Sequence, residues 1–400
     1  MTDTVESMDP GALLFAPHVA ASPHETYDTL RRQCPVARSD FAGMTSVYLS
    51  RYKDVNWALR HPEYFTSESD AMELGEQPLL PLQVDPPRHT RYRRLLNPRF
   101  LPREIGRLEP DVRALVTQLI GAFADRGHCD FHEEFATPLP SGIFLALMGL
   151  PMSDLPMFLR WRDNTIRPDV DPGDFEGAAA IRRQTGHEIS DYFRQAIAER
   201  RSRPPDDSLL SQIVQFTIDG DELTETELLG MAHLLMLGGL DTVTATLDCM
   251  VTYLANHPER RRQLIDDPAR IPAAIEELLR WETPVAVVPR EVKQDVEVNG
   301  VQLHAGDPVT LVLGAANLDE EEFAETGVDF GRDPNRHVAF GSGNHLCLGA
   351  HLARLELRVA LEELHARIPD YRVPEGVELN VSPGIRQADS LPLEWDVRAP

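Results

Sequence analysis

Cysteine is scarce in this chain. Its 400 residues hold four, Cys34, Cys129, Cys249 and Cys347, none near another. That spacing excludes a disulfide framework, and without a C-x-x-C pair there is no zinc or iron–sulfur signature. Long apolar runs are missing as well. Nothing approaches 18 uninterrupted apolar residues, and the opening MTDTVESMDPGALLFAPHVA has no basic segment leading an apolar one. Neither a signal peptide nor a membrane anchor is expected. No Gly/Ser linker, low-complexity run or internal repeat divides the chain, which predicts one domain over residues 1–400 with about residues 1–14 flexible. Positive charge is in deficit: 39 Lys and Arg against 64 Asp and Glu leave −25. Such a surface repels nucleic acid and anionic membranes, so a soluble cytoplasmic protein is expected.

One region runs against that charge. Seven arginines lie between positions 88 and 107: Arg88, Arg91, Arg93, Arg94, Arg99, Arg103 and Arg107. They form either a solvated helix face or a docking patch for an acidic group. Helical periodicity dominates the chain, over residues 104–126, 142–149, 185–202, 225–256, 269–281 and 347–367. Strands are a minority, at 46–50, 308–313 and in a hairpin over 295–303 that turns at Asn299-Gly300, and they are expected mainly after residue 290. The longest helix opens on a capping box, Thr224 with Glu227, and is apolar nearly all round, as a helix crossing the core would be. Two features are costly there. Each of Gly238 and Gly239 costs about 1 kcal/mol relative to alanine. Asp241 sets a carboxylate in the apolar interior beside the Thr242 hydroxyl. The glycines fit either close helix packing or a widened turn that admits a small molecule, and Asp241 fits either a buried salt bridge or a chemical role.

The remaining singular feature is AFGSGNHLCLGAHLARLE at 339–356. Gly341, Gly343 and Gly349 flank Cys347, and a helix follows it. Glycine lets backbone N–H groups approach closely, and the free N–H groups and dipole at a helix start favour a thiolate. A thiolate held in this way, with the bulky Phe340 seven residues earlier, fits an axial ligand to a large flat cofactor. A nucleophilic cysteine would need a base, and His345 need not face the sulfur.

The segment FGSGNHLCLG resembles the F-G-x-G-x-H-x-C-x-G signature of the cytochrome P-450 heme–thiolate monooxygenases. Three further motifs stand in that family's order: DPPRHTRYR at 85–93, GGLDT at 238–242, and the E-x-x-R pair Glu277/Arg280. E-x-x-R also occurs at Glu104/Arg107 and Glu259/Arg262, where it reads as a plain i,i+3 pair. The likeness covers about residues 15–395. It implies a mainly α fold with a small β-rich region and a long central helix over heme b. It implies Cys347 as the axial ligand of the heme iron, with Phe340 and Gly349 beside it. His89, Arg93, Arg290 and His345 would hold the heme propionates, and Arg332 would complete a structural network with Glu277 and Arg280. Asp241 and Thr242 would deliver protons to iron-bound O2, although Val243 stands where many relatives carry a second hydroxyl.

By the same resemblance the pocket walls would be Gln77, Leu79, Leu80, Leu82 and Gln83, then Leu234, Leu237 and Gly238, then Val285, Val287 and Val288. This apolar lining suits a terpenoid first, and a steroid or fatty acyl compound next. No flavin or ferredoxin domain is expected in the chain, so electrons would come from a ferredoxin and its reductase, docking near Arg91, Arg94, Arg99, Arg354 and Arg358. A peroxide-driven heme enzyme and a non-catalytic heme sensor or carrier are the alternatives. The Asp241–Thr242 pair argues against the first.

Overall fold

The computed structural model describes residues 9–41, 44–68, 77–171, 174–325 and 327–397. The helices that matter for the site are, in chain order, α1 (Arg88–Leu96), α2 (Glu109–Phe123), α3 (Pro138–Met148), α4 (Leu155–Ile166), α5 (Glu225–Leu240), α6 (Thr242–Asn256), α7 (Ile271–Glu282) and α8 (Ala350–Arg367). The strands are β1 (Val36–Phe41), β2 (Met44–Leu49), β3 (Phe65–Thr66), β4 (Val287–Val292), β5 (Val296–Val298), β6 (Val301–Leu303) and β7 (Pro308–Val312). Helix dominates, as the periodicity predicts. Residues 1–8 of the segment expected to be flexible lie outside the described residues. Pro10–Leu14 forms one helical turn, and Leu14 is buried.

Four elements differ from expectation for local reasons. The helix read as 104–126 is broken into Pro102–Gly106 and α2, because Pro110 supplies no N–H and so begins a helix rather than continuing one. The helix read as 185–202 starts at Phe175, where the Asp174 side chain accepts from the Gly177 N–H at 2.8 Å. The last long helix begins at Ala350, three residues later than predicted. Strands are not concentrated after residue 290. Among the described residues six of the twelve precede Val287, and β1 (VARSDF) shows no apolar alternation in its sequence.

The Asn299-Gly300 turn is as predicted. Both residues have positive φ, 49° and 78°, and β5 pairs with β6 across them. The main sheet has the order β1-β2-β7-β4-β3, with β2 and β7 parallel and the other pairs antiparallel. A small core of Val47, Leu49, Val309 and Leu311 fastens it to the helix Tyr52–Arg60. The large core joins α2, α3, α5, α6, α7 and α8.

The central helix opens on the predicted capping box: Thr224 Oγ1 accepts from the Glu227 N–H at 3.3 Å, and Glu227 Oε2 accepts from the Thr224 N–H at 2.8 Å. It is not continuous. Asp241, at φ −118° and ψ −41°, separates α5 from α6. By length and composition Glu225–Asn256 could cross a membrane, but 67% of its apolar window is buried inside the protein. Its apolarity belongs to the core.

Candidate active site

The cysteine loop is shaped by its glycines. Gly341 and Gly343 sit at φ 72° and 66°, and a Cβ on Gly343 would lie 2.7 Å from the Leu59 carbonyl oxygen. The loop therefore packs directly on the end of the helix Tyr52–Arg60. The Cys347 N–H donates to the Phe340 carbonyl at 2.9 Å, closing the turn. Cys347 lies deep among protein atoms yet keeps accessible surface, as a residue lining an internal cleft does. Burial pushes its thiol pKa up. The Gly349 amide and the charges of Arg93 and Arg354 pull the other way without overcoming burial, so the helix start alone does not make this sulfur a thiolate. Arg354 covers the Phe340 ring at 4.6 Å and is gripped by Glu276 through two hydrogen bonds of 2.7 Å.

Beside Cys347 is a cluster of two arginines and two histidines. His89 and Arg93 come from one face of α1, four residues apart. His345 comes from the cysteine loop and Arg290 from β4. The His89 and His345 rings are 4.3 Å apart, although 256 positions separate them in sequence (345 − 89). His89 is buried, and the Nε2 atoms of both histidines are buried without a hydrogen-bond partner. Burial, with the charge of Arg93, pushes His89 down to about 4. Burial, with Arg290 and His89, pushes His345 down to about 3. Burial also lowers Arg290 to about 10, and its Nη1 donates to the Pro289 carbonyl at 2.7 Å. The neighbouring carboxylate, Asp85, is already engaged by Thr66, the Ser67 N–H and Lys293.

The break between α5 and α6 holds the acid–alcohol pair. Asp241 is fully buried and bound by Arg167, whose Nη1 lies 3.3 Å from Oδ2. Arg162 Nε lies 3.8 Å from Oδ1. Both arginines belong to α4 and its C-terminus, and nothing in their sequence marks them as partners of a residue more than seventy positions away. The Thr242 hydroxyl donates to the Gly238 carbonyl at 3.0 Å, and Thr244 Oγ1 donates to the Ala136 carbonyl at 2.9 Å. Leu234, Gly238 and Thr242, four residues apart, retain accessible surface along one stripe, with Leu235 and Gly239 beside them also partly accessible. A Cβ on Gly238 would meet nothing within 4 Å, whereas one on Gly239 would lie 3.1 Å from the Phe144 ring.

The expected pocket residues divide. Leu82, Leu234, Val287 and Val288 are partly buried, and Gln77 and Val285 are half-buried. Leu79, Leu80 and Leu237 are packed into the core. The Leu80 N–H donates to the Gly230 carbonyl at 3.3 Å, tying the 77–84 segment to α5. The Gln83 side chain accepts from the Leu79 N–H. Glu277 and Arg280 are fully buried and joined by bonds of 2.7 and 2.9 Å, and Arg332 Nε donates to Glu277 at 2.9 Å. The sequence did not point to Asn335, which also donates to Glu277 at 3.1 Å.

The arginines expected to receive a partner also divide. Arg91, Arg94 and Arg99 are exposed, with Arg91 3.5 Å from Asp219. Arg354 and Arg358 are not available as free cations. Glu276 holds the first, and Glu109 and Glu362 hold the second at 2.7 and 3.1 Å.

Three comparisons bear on identity. A profile described as Cytochrome P450 matches residues 175–365. The chain is 36% identical to the steroid C26-monooxygenase of Mycobacterium tuberculosis, over 87% of this chain and 86% of that one. It is also 36% identical to the mycinamicin IV hydroxylase/epoxidase of Micromonospora griseorubida, over 92% and 94%. The fold superposes on CYP109E1 from Bacillus megaterium, solved with testosterone, with a TM-score of 0.87, 28% identity, and coverage of 95% of this chain and 99% of that one. With motifs, fold and relatives in agreement, the chain belongs to the cytochrome P450 family, monooxygenases that bind heme b through a cysteine thiolate.

Proposed function

We propose that this chain is a cytoplasmic, single-domain monooxygenase that hydroxylates a hydrophobic, weakly polar molecule of isoprenoid type, a terpenoid first and a steroid next. Electrons come from a separate ferredoxin and its reductase. The observation that carries the reading is the cluster at His89, Arg93, Arg290 and His345. It presents four groups able to be cationic, two of them imidazoles with unpartnered buried nitrogens, beside Cys347. That donor set fits the two carboxylates of a heme, because buried carboxylates need charged or hydrogen-bonding partners. Cys347 supplies the sulfur. Burial raises the pKa of its thiol, and a heme iron held there would supply the positive charge that favours the thiolate.

When bound, thiolate-ligated heme activates O2, so that one oxygen atom enters a C–H bond and the other leaves as water. This chain's residues supply position and protons. The stripe at Leu234, Gly238 and Thr242 gives the substrate an apolar wall with one hydroxyl in it. Thr242 Oγ1 orients water and passes a proton. Asp241, held by Arg167 and Arg162, draws protons inward through an otherwise apolar core. Arg94 and Arg99, with Arg91, receive the acidic ferredoxin. The relative named as a steroid C26-monooxygenase supports a substrate built on a large hydrocarbon skeleton.

The test is the absorption spectrum of the reduced protein with carbon monoxide. A strongly red-shifted Soret band is expected, and it should vanish in Cys347→Ser. Its absence from the fresh wild-type protein refutes the reading. Turnover with ferredoxin, reductase and NADPH should exceed turnover with hydrogen peroxide alone; the reverse result favours a peroxygenase. Reversing the charges of Arg94 and Arg99 should slow reduction while leaving the substrate-induced spin shift intact.

A further inference from the structure

A surface cleft of about 460 Å³ takes no part in the reading above. Asp85, Lys293 and Glu63 stand in its wall, and among the described residues that line it Lys293 is the only cation. Lys293 is half-exposed and Asp85 is buried. The two side chains meet, with Lys293 Nζ 3.2 Å from Asp85 Oδ2. Asp85 also borders the interior. Its carbonyl accepts from the His89 N–H at 2.9 Å, at the start of α1. Its carboxylate is pinned to the end of β3: Oδ2 accepts from the Thr66 hydroxyl at 2.6 Å and Oδ1 from the Ser67 N–H at 3.1 Å. Thr66 pairs with Glu291 of β4. Asp85 is thereby fixed beside β4, where the buried Arg290 comes just before that pairing and Lys293 two residues after it.

We propose that Lys293 is a positioning residue for the cofactor that acts through Asp85. From the cleft it neutralises that carboxylate, so that Arg290 remains available to a heme carboxylate instead of turning to Asp85. The cradle thus has an outer half, Asp85 and Lys293, behind the inner groups assigned to the cofactor. This rests on the reading of His89, Arg93, Arg290 and His345 as that cradle.

The balance of charge supports this. Arg93 and Arg290 match the two carboxylates of a heme. His89 and His345 add donors but no charge, since burial holds both imidazoles neutral. Asp85 is then one negative charge in excess, and it acts on Arg290, His89 and His345 alike. The nearby acids cannot offset it: Glu63 stands in the cleft wall, and Glu68 accepts from the Asp85 N–H at 3.1 Å. Lys293 supplies the missing positive charge. Taking it away leaves Asp85 short of a counter-ion beside a buried arginine, and a buried arginine is drawn to such a carboxylate.

The test reads how firmly heme is held, apart from turnover. Heme transfer from the ferric holoprotein to excess apomyoglobin is followed in the Soret region. Lys293→Gln should speed it about three-fold or more. Lys293→Glu should speed it further, and Lys293→Arg should stay within about 1.5-fold of wild type. In an Asp85→Asn background, Lys293→Gln should change the rate by less than about 1.5-fold. The reduction potential of the heme should move negative in Lys293→Gln, because lost positive charge favours ferric iron, and recover in the double variant. An unmoved rate or potential in Lys293→Gln overturns the proposal, as does an equal change with and without the Asp85 carboxylate. If Asp85→Asn does not fold, equal rates for Lys293→Gln and Lys293→Glu overturn it instead. A wild-type protein that takes up no heme refutes the reading of the cradle itself.

Discussion

Gly238 and Gly239 are adjacent and answer to different constraints. Gly239 is a packing residue, set against Phe144, while Gly238 opens on free space and its carbonyl accepts from Thr242. The two readings offered for the pair in the sequence are thus both realised, one at each position. Gly238→Ala should gain about 0.5–1 kcal/mol of stability through helix propensity, yet weaken substrate binding because the methyl enters the open stripe. Gly239→Ala should do the reverse, costing about 1 kcal/mol through overpacking. Thermal unfolding and the substrate spin-shift titration distinguish them. Glu277 is more exacting still. It accepts from Arg280, Arg332, Asn335 and the Asp329 N–H, all within 3.1 Å. Glu277→Gln leaves buried guanidinium groups without a counter-charge and should cost about 3–5 kcal/mol, seen as a lower denaturant midpoint or a failure to accumulate folded protein.

At the scale of elements, the central helix shows how far periodicity reads. Its start was legible because a capping box is a local signal, and its burial was legible because it is apolar on every face. The break at Asp241 was not, since it depends on arginines of α4 that hold the carboxylate from outside the helix. For the same reason the sequence offered two meanings for Asp241 and could not name Arg162 or Arg167. β1 was hidden for a related reason: VARSDF is a strand by virtue of its pairing with β2, not of its own pattern. The cysteine loop was the opposite case, because its glycines, Cys347 and the start of the following helix stand together in one short stretch of sequence. The break also carries a prediction. Thr242→Val keeps the shape but removes the hydroxyl bonded to Gly238. Reductant consumption should continue while product per NADPH falls several-fold and hydrogen peroxide rises, measured in the same assay.

The whole molecule keeps several histidines neutral by burying them. His233 and His365 lie outside the cofactor cluster, and burial pushes each down to about 4, with Arg261 adding to the shift of His365. A folded state that refuses protons accepted by the unfolded chain loses stability as pH falls below the ordinary imidazole value, about 6.5, and the loss levels off near the folded value. Each should cost about 3 kcal/mol by pH 4, so the urea midpoint should decline steadily from pH 6.5 downward. Replacing His233 by Leu should flatten part of that decline. The main sheet has a consequence for how such a molecule is made. β2 pairs in parallel with β7, joining Val47 to Val309 across more than 260 residues. During synthesis the β1–β2 hairpin emerges early and must wait, one edge bare, until about two-thirds of the chain has followed. For most of its time on the ribosome the nascent protein carries an unpaired strand edge, and that interval is when a chaperone has most to protect.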